Sequence, residues 1–168
     1  MKVVNKEATL GLCKDQKLVG RVHIVAKDAN GNIVDTNNVT NNIVLGIRTP
    51  IIKLLGGWGT AQDELPFVRQ IALGTGATPA TILDTKLEAE VEGSRKLTAT
   101  APTISSDGLS LTFSFLYDMV DEAVDNKDIK EMALFTTDGT MIARTTIGLW
   151  RKTTGLYFEI YWTIGYAA

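Results

Sequence analysis

Strand-length segments with alternating apolar and polar residues constrain this chain more than any other feature of its sequence. In residues 109–115, Leu and Phe occupy every second position, and Ser and Thr fill the positions between them. Residues 156–164 alternate in the same way, and their polar face carries Tyr157, Glu159 and Tyr161. A period of two residues is typical of a strand that buries one face. The pattern predicts a mainly β fold, which we interpret as an antiparallel β-sandwich.

Two tight turns join neighbouring segments of this kind. Residues 19–27 and 33–36 flank Asn30-Gly31, and residues 130–135 and 141–147 flank Asp138-Gly139. Asn-Gly and Asp-Gly accept the positive φ angles that hairpin turns require. The sequence therefore predicts a β-hairpin at each of these two sites.

Helical spacing appears in two places. Residues 43–55 are apolar at roughly helical intervals, follow the polar residues 37–42, which supply a candidate cap, and precede Gly56-Gly57. We expect one helix there, kinked or restarted at Pro50, to cover an end or an edge of the sandwich. Residues 84–91 predict a short helical turn with Asp84 as its cap.

The length of 168 residues fits one domain with one substantial core. We assign residues 19–168 to a single β-sandwich domain. Residues 1–18 show no clear period and form either an edge strand or an N-terminal arm, which would be a candidate docking segment. No segment approaches the ~18 apolar residues of a membrane-spanning helix, and the N-terminal residues lack the apolar stretch of a signal peptide.

The charge and cysteine content exclude several classes of protein. A net charge of −2 and a pI near 5.4 provide no general attraction for nucleic acid or an anionic membrane, so we expect neither as a partner. The single cysteine, Cys13, cannot form an intrachain disulfide. This composition is compatible with folding in a reducing cytoplasm.

The segment IALGTGATPATILDT at residues 71–85 raises the question of phosphate binding. A dinucleotide-binding loop has the pattern Gly-x-Gly-x-x-Gly, but Pro79 stands where the third glycine would be. Proline has no N–H to donate, and no Gly-Lys-Ser/Thr follows to make a P-loop. We therefore expect the two glycines, Gly74 and Gly76, to serve a sharp turn of the chain itself.

Other candidate chemical groups are sparse. His23, the only histidine, lies on a predicted strand, and no Gly-x-Ser-x-Gly motif supports a catalytic triad through it. One histidine and Cys13 are too few for a structural zinc site. Residues 118–128 are acidic and resemble a Ca²⁺ loop in composition, but they lack the EF-hand order and contain Lys127. We expect no cofactor, no metal and no catalytic residues.

Aromatic residues near the C-terminus form the candidate contact surface. Tyr157 and Tyr161 share one face of the last predicted strand, and Trp150 and Tyr166 lie nearby in the sequence. Amphipathic rings of this kind suit either a subunit contact or a sugar-binding surface.

The order of the motifs resembles that of accessory structural proteins of tailed bacteriophages, which sit on the capsid, collar or tail. The resemblance is carried by DANGNI at 28–33, NNIVLG at 41–46, LLGG at 54–57, IALGTG at 71–76, DTKL at 84–87, EMALF at 131–135, GTMIAR at 139–144 and IYWTI at 160–164. It covers roughly residues 19–166. It implies a non-enzymatic β-sandwich virion protein, made in the host cytoplasm and built into a homo-oligomer of three or more copies beside other virion proteins.

Two other functions remain open at this point. One is a carbohydrate-binding or cell-surface-binding β-sandwich module, for which a host surface glycan would be the partner. The other is an enzyme that uses His23 as its base. A groove with convergent Asn and Asp side chains would favour binding, whereas a flat apolar patch would favour assembly.

Overall fold

The computed structural model describes residues 18–48 and 67–166, and this part of the chain is mainly β. Nine strands follow one another along it. They are β1 (Leu18–Lys27), β2 (Ile33–Ile43), β3 (Val68–Gly74), β4 (Lys96–Leu97), β5 (Thr103–Ile104), β6 (Ser110–Tyr117), β7 (Asp128–Thr136), β8 (Met141–Arg151) and β9 (Tyr157–Tyr166). Two short 3-10 helices, Leu45–Ile47 and Glu122–Val124, lie between strands. Among the described residues no helix is long and apolar enough to cross a membrane.

All nine strands belong to one sheet with the order β4-β3-β7-β8-β2-β1-β9-β6-β5, and every pairing between them is antiparallel. The sheet curls until its ends meet at residues 96–104. There the Thr98 N–H donates to Arg69 O (2.9 Å), and the Ala99 N–H donates to Ser114 O (2.8 Å). The mainly β prediction is confirmed, but the finer prediction of a two-sheet sandwich is not.

The curl encloses one large core between two halves of the sheet. We call β6, β9, β1 and β2 the open half, because side chains on its convex side face solvent. Its strands alternate, as in β9, where Phe158, Ile160 and Trp162 are buried and Tyr161 is exposed. This is the period-two pattern of a sheet with one buried face.

The other half, β3, β7 and β8, has both faces covered. A second apolar cluster packs on its outer side, where Leu87 from the connection after β3 meets Ala72, Ala133, Phe135 and Met141. Strand β7 is therefore buried at every position from 131 to 136. Burial on both faces explains the continuous apolar run Met-Ala-Leu-Phe in its sequence.

Both predicted hairpins are confirmed. The carboxylate of Asp28 accepts hydrogen bonds from the N–H groups of Asn30 and Asn32, both at 2.9 Å, and Gly31 takes a φ of +84°. Gly139 has a φ of +83° in the turn between β7 and β8. Both glycines adopt the left-handed backbone that only glycine accepts without strain.

Two local predictions are wrong, and a third is wrong at its start. Residues 37–42, read as a polar break, lie inside β2. The helix predicted over 43–55 does not begin at Ile43, which ends β2, and residues 45–47 form a 3-10 turn; residues 49–55 lie outside the described residues. No covering helix is seen in the described ranges. The helical turn predicted over 84–91 is absent, and Glu90 instead makes a β-bridge with Gly74.

Candidate functional site

The glycine loop after β3 wraps around a carboxylate of the chain itself. Glu131, on β7, is fully buried. Its Oε1 accepts hydrogen bonds from the N–H groups of Gly76 (3.1 Å) and Ala89 (2.8 Å), and its Oε2 accepts one from the Glu88 N–H (3.1 Å). A carboxylate that receives several backbone N–H groups resembles the anion that such a loop would bind in a nucleotide site. Here Glu131 takes the place of the phosphate.

Arg144 on β8 completes this cluster. It is 3% exposed, and its Nε donates to Glu131 Oε2 at 2.9 Å. Its Nη1 donates to Asp84 Oδ2 at 2.7 Å, and its Nη2 donates to the Thr78 carbonyl at 3.0 Å. Burial alone would lower the pKa of Arg144, but the bonds to Asp84 and Glu131 outweigh it, so the pKa is raised. We call Glu131, Arg144 and Asp84, together with the N–H groups of Gly76, Glu88 and Ala89, the Glu131 network.

The two glycines of the loop make room for this carboxylate. A Cβ on Gly76 would lie 2.5 Å from Glu131 Oε1 and 2.5 Å from Glu88 Cβ. A Cβ on Gly74 would lie 2.5 Å from Glu131 Oε1 and 2.8 Å from the Ala89 carbonyl oxygen. The predicted sharp turn is not seen at these glycines, neither of which has a positive φ, and both instead allow the close approach of Glu131.

The Glu131 network holds in place the segment that covers the outer side of β3, β7 and β8. It fixes residues 76–89 across the outer side of β3, β7 and β8, where Leu87 is buried. A groove of about 340 Å³ opens beside it, lined by Thr78, Leu83, Asp84, Lys86 and Arg144 among others. Because the charged groups of the network already pair with one another, its geometry fits a structural role.

Stability should fall at acid pH through Asp84. Burial would raise the pKa of this carboxyl, but hydrogen bonds from Thr81 and Arg144 hold it below its ordinary value. A depressed pKa contributes stability that is complete above the unfolded-state value and is lost as the pH falls through the folded-state value. We expect the melting temperature to drop below about pH 4, and to drop less steeply in Asp84→Asn. Calorimetry of both proteins between neutral and acid pH measures this; identical slopes would contradict it.

The open half of the sheet carries the predicted tyrosine surface. We call the convex side of β6, β9, β1 and β2 the outer face. Its best-defined row runs across Ser114, Tyr161, His23 and Asn38, which are partners in the strand register. The rings of His23 and Tyr161 stack at 6.1 Å, and His23 Nδ1 lies 2.8 Å from Asn38 Oδ1. The candidate histidine is thus held by a tyrosine and an amide.

A neighbouring ion pair fixes the second tyrosine of this face. Lys27 Nζ lies 2.7 Å from Glu159 Oε2 and 5.9 Å from the centre of the Tyr157 ring. The Tyr161 hydroxyl donates to the same carboxylate oxygen at 3.0 Å. The hydrogen bond from Lys27 lowers the pKa of Glu159, and burial followed by the bond to Glu159 raises the pKa of Tyr161. Both rings are held by contacts within the chain, which reduces the entropy lost when a partner binds.

The structure brings together only part of the predicted contact surface. Tyr157 and Tyr161 share the outer face, as the spacing predicts. Trp150 is 8% exposed and packs edge-on against Phe158 with ring centres 5.3 Å apart, so it belongs to the core. Tyr166 is exposed at the end of β9, but strand alternation directs it away from the outer face. Cys13 lies outside the described residues.

A shallow groove runs along the outer face. It has a volume of about 320 Å³ and is lined by Arg21, Val22, His23, Asn38, Val39, Thr40, Tyr161 and Thr163. Beyond it, the Thr112 and Thr163 hydroxyls hydrogen-bond across β6 and β9 at 2.8 Å. Sequence reasoning found the tyrosines, but it did not find Asn38, because residues 37–42 were read as a break and not as a strand.

The acidic segment 118–128 is held by cations of this chain. Asp121 pairs with Lys96, Asp125 with the fully buried Lys152, and Asp128 with Arg151. Within the described ranges, no group of three or more His, Cys, Asp or Glu residues is placed to hold a metal ion. The carboxylates that suggested an ion site therefore anchor the connection between β6 and β7.

Comparison of the chain with protein-family models, with curated proteins and with solved structures finds no match to any of them.

Proposed function

We propose that this chain is a non-enzymatic structural protein of a tailed bacteriophage virion, which assembles on the capsid surface or tail through its outer face. The proposal starts from the ordered series of motifs that resembles accessory virion proteins. The observation that carries it further is the outer face itself. It is a broad four-stranded surface on which Tyr161 is 37% exposed and is held by His23 and Glu159.

The motifs behind the resemblance have a common structural task. Four of them, at 71–76, 84–87, 131–135 and 139–144, supply Gly74, Gly76, Asp84, Glu131 and Arg144 to the Glu131 network. The four motifs therefore supply, one after another along the chain, the residues of one buried cluster. This supports reading the resemblance as a likeness of fold-determining elements, in keeping with a protein that works by assembling.

The composition of the outer face suits a contact between copies. Tyrosine and arginine are enriched at protein interfaces, where rigid side chains lose little entropy. The face carries Arg21, Tyr157 and Tyr161 between short polar side chains, and two of its charges, Lys27 and Glu159, pair with each other. Such a surface offers contact area on which part of the charge is already neutralised. We propose a homo-oligomer of three or more copies in contact with other virion proteins.

Removing Tyr161 tests the role of the outer face. In native mass spectrometry at micromolar concentration, we expect the wild-type protein to form a discrete trimer or larger ring without a bound ligand. Tyr161→Ala should weaken this contact by about tenfold or more, the effect of losing one central tyrosine. Leu83→Ala is the matched control, because Leu83 is 71% exposed and lies away from the outer face. An unchanged assembly in Tyr161→Ala would contradict this use of the face.

The groove on the outer face supports one alternative function, which is carbohydrate binding. Tyr161 and His23 offer ring surfaces, and Asn38 and Arg21 offer polar groups within one groove of about 320 Å³. A ring beside a few converging polar groups is a common arrangement in ligand sites. A monomeric wild type that binds immobilised glycans, and loses that binding in Tyr161→Ala, would favour this module over the virion protein.

A further inference from the structure

Strand β2 has a long edge without a partner strand in the described part of the chain. It pairs with β1 from Ile33 to Asn41, but with β8 only at Asn42 and Ile43. Beyond that junction β2 and β8 separate. The edge of β2 over residues 33–39 consequently meets no other described strand.

The hydrogen bonds around β2 show which backbone groups this edge offers. The Thr40 carbonyl accepts a bond from Thr145 Oγ1 on β8 at 2.9 Å, and the Thr36 N–H donates to the adjacent Asp35 side chain at 2.7 Å. In an antiparallel strand, the N–H and C=O of one residue point to the same side, and alternate residues share that side. Asn38, between Thr36 and Thr40, therefore directs its N–H and C=O away from β1.

The other edges of the sheet are protected, whereas this one carries no such protection among the described residues. The terminal strands β4 and β5 are two residues long, and the pairing of β8 with β7 is interrupted by bulges. Short strands and bulges are common ways to prevent unwanted strand pairing, as are lysine and proline. The run 35–41 of β2 pairs with β1 without a bulge and contains no lysine or proline. Its only charged residue is Asp35.

We propose that this edge pairs antiparallel with the same edge of β2 in a second copy of the chain, around a twofold axis. A twofold axis at Asn37 would place Thr36 opposite Asn38 and Asp35 opposite Val39. Short polar groups would then meet each other, and the two aspartates would stay apart. Because the run carries only one charge, it does not favour an oppositely charged partner. Its backbone donors and acceptors and its short polar side chains can pair with those of an identical edge.

The inference does not depend on the proposed virion function. An axis perpendicular to the sheet would join the outer faces of two copies into one eight-stranded surface. The tyrosines would remain free on that surface, so an edge dimer is compatible with a larger assembly.

The test compares two substitutions of one residue. Asn38→Pro and Asn38→Ala both remove the side chain that contacts His23, but only proline removes the N–H that faces the free edge. Sedimentation equilibrium should show Asn38→Pro with a dissociation constant at least about tenfold higher than that of Asn38→Ala, which lacks the same side chain but keeps the N–H. Thermal unfolding of all three proteins establishes that each is folded.

Two results would overturn the inference. One is association of a folded Asn38→Pro variant with the same constant as Asn38→Ala. The other is a wild-type protein that stays monomeric up to about 100 μM, since specific contacts are populated well below that concentration. The first result leaves the proposed function untouched, whereas a monomeric wild type would also contradict the proposed homo-oligomer, so presence in virions is tested separately.

Discussion

Glu131→Ala is expected to lower the free energy of unfolding by about 3–5 kcal/mol, the largest effect of any change we predict. The substitution leaves Arg144 buried at 3% exposure without its main partner. It also leaves the N–H groups of Gly76, Glu88 and Ala89 without their acceptor. Because a small domain is stable by only about 5–15 kcal/mol, urea unfolding should show the loss clearly.

The control for this prediction is an exposed glutamate in the connection between β3 and β4, whose amides bond to Glu131. Glu92→Ala removes a solvent-exposed carboxylate and should change stability by no more than about 0.5 kcal/mol. A double-mutant cycle with Arg144→Met tests whether the two buried charges act together, and we expect a coupling energy of about 0.5–3 kcal/mol. Equal effects of Glu131→Ala and Glu92→Ala would show that the network does not hold the fold.

Gly76→Ala is expected to destabilise the protein by about 1–3 kcal/mol, the usual cost of forcing a methyl group into a packed site. The added Cβ would lie 2.5 Å from Glu131 Oε1, closer than such atoms approach in folded proteins. The loop must therefore shift, and the hydrogen bond from the Gly76 N–H to Glu131 must lengthen. Hydrogen exchange at residues 76–89 should accelerate more than exchange in β9.

Gly148→Ala provides the matched glycine control. An added Cβ on Gly148 meets nothing within 4 Å, and this residue has no positive φ. Reducing the freedom of the unfolded chain should make the substitution neutral or stabilising by up to about 1 kcal/mol. If Gly76→Ala is as well tolerated as Gly148→Ala, the close approach to Glu131 has no energetic consequence.

The sequence predicts β1, β6 and β9 of the open half well, because burial there affects one face only. In β9 the buried side chains Phe158, Ile160 and Trp162 alternate with Tyr161 and Glu159, so period and structure agree. The two hairpin turns are equally predictable from the sequence, because the positive φ of Gly31 is a local property of the turn.

The Glu131 network was not predictable by the same reasoning, because its contacts are distant in the sequence. Glu131 bonds to the N–H of Gly76, 55 positions away, and to that of Ala89, 42 positions away. The bonds from the N–H groups of Glu88 and Ala89 to Glu131 take amides that a helix over 84–91 would use for its own turns, which is why that prediction fails. The sequence offers little signal for the network, because Glu131 follows Lys130 and only borders the apolar run Met-Ala-Leu-Phe.

Strand β2 was misread for a different reason. Asn and Thr dominate residues 36–42, and Asn is depleted in strands, so the run looks like a turn. An edge strand with few buried side chains does not need an apolar face, and Asn38 instead contacts His23. Trp150 was misread because the spacing alone did not show that it packs against Phe158 between the two halves of the sheet.

The virion assignment is tested most directly by the protein composition of tailed-bacteriophage particles from the source that encodes this chain. Particles purified by density gradient would be analysed by quantitative mass spectrometry, with the major capsid protein as the internal standard. We predict that the chain is present at a fixed whole-number ratio that survives repeated purification. Its absence from the particles, together with free protein in the infected-cell lysate, would contradict the account.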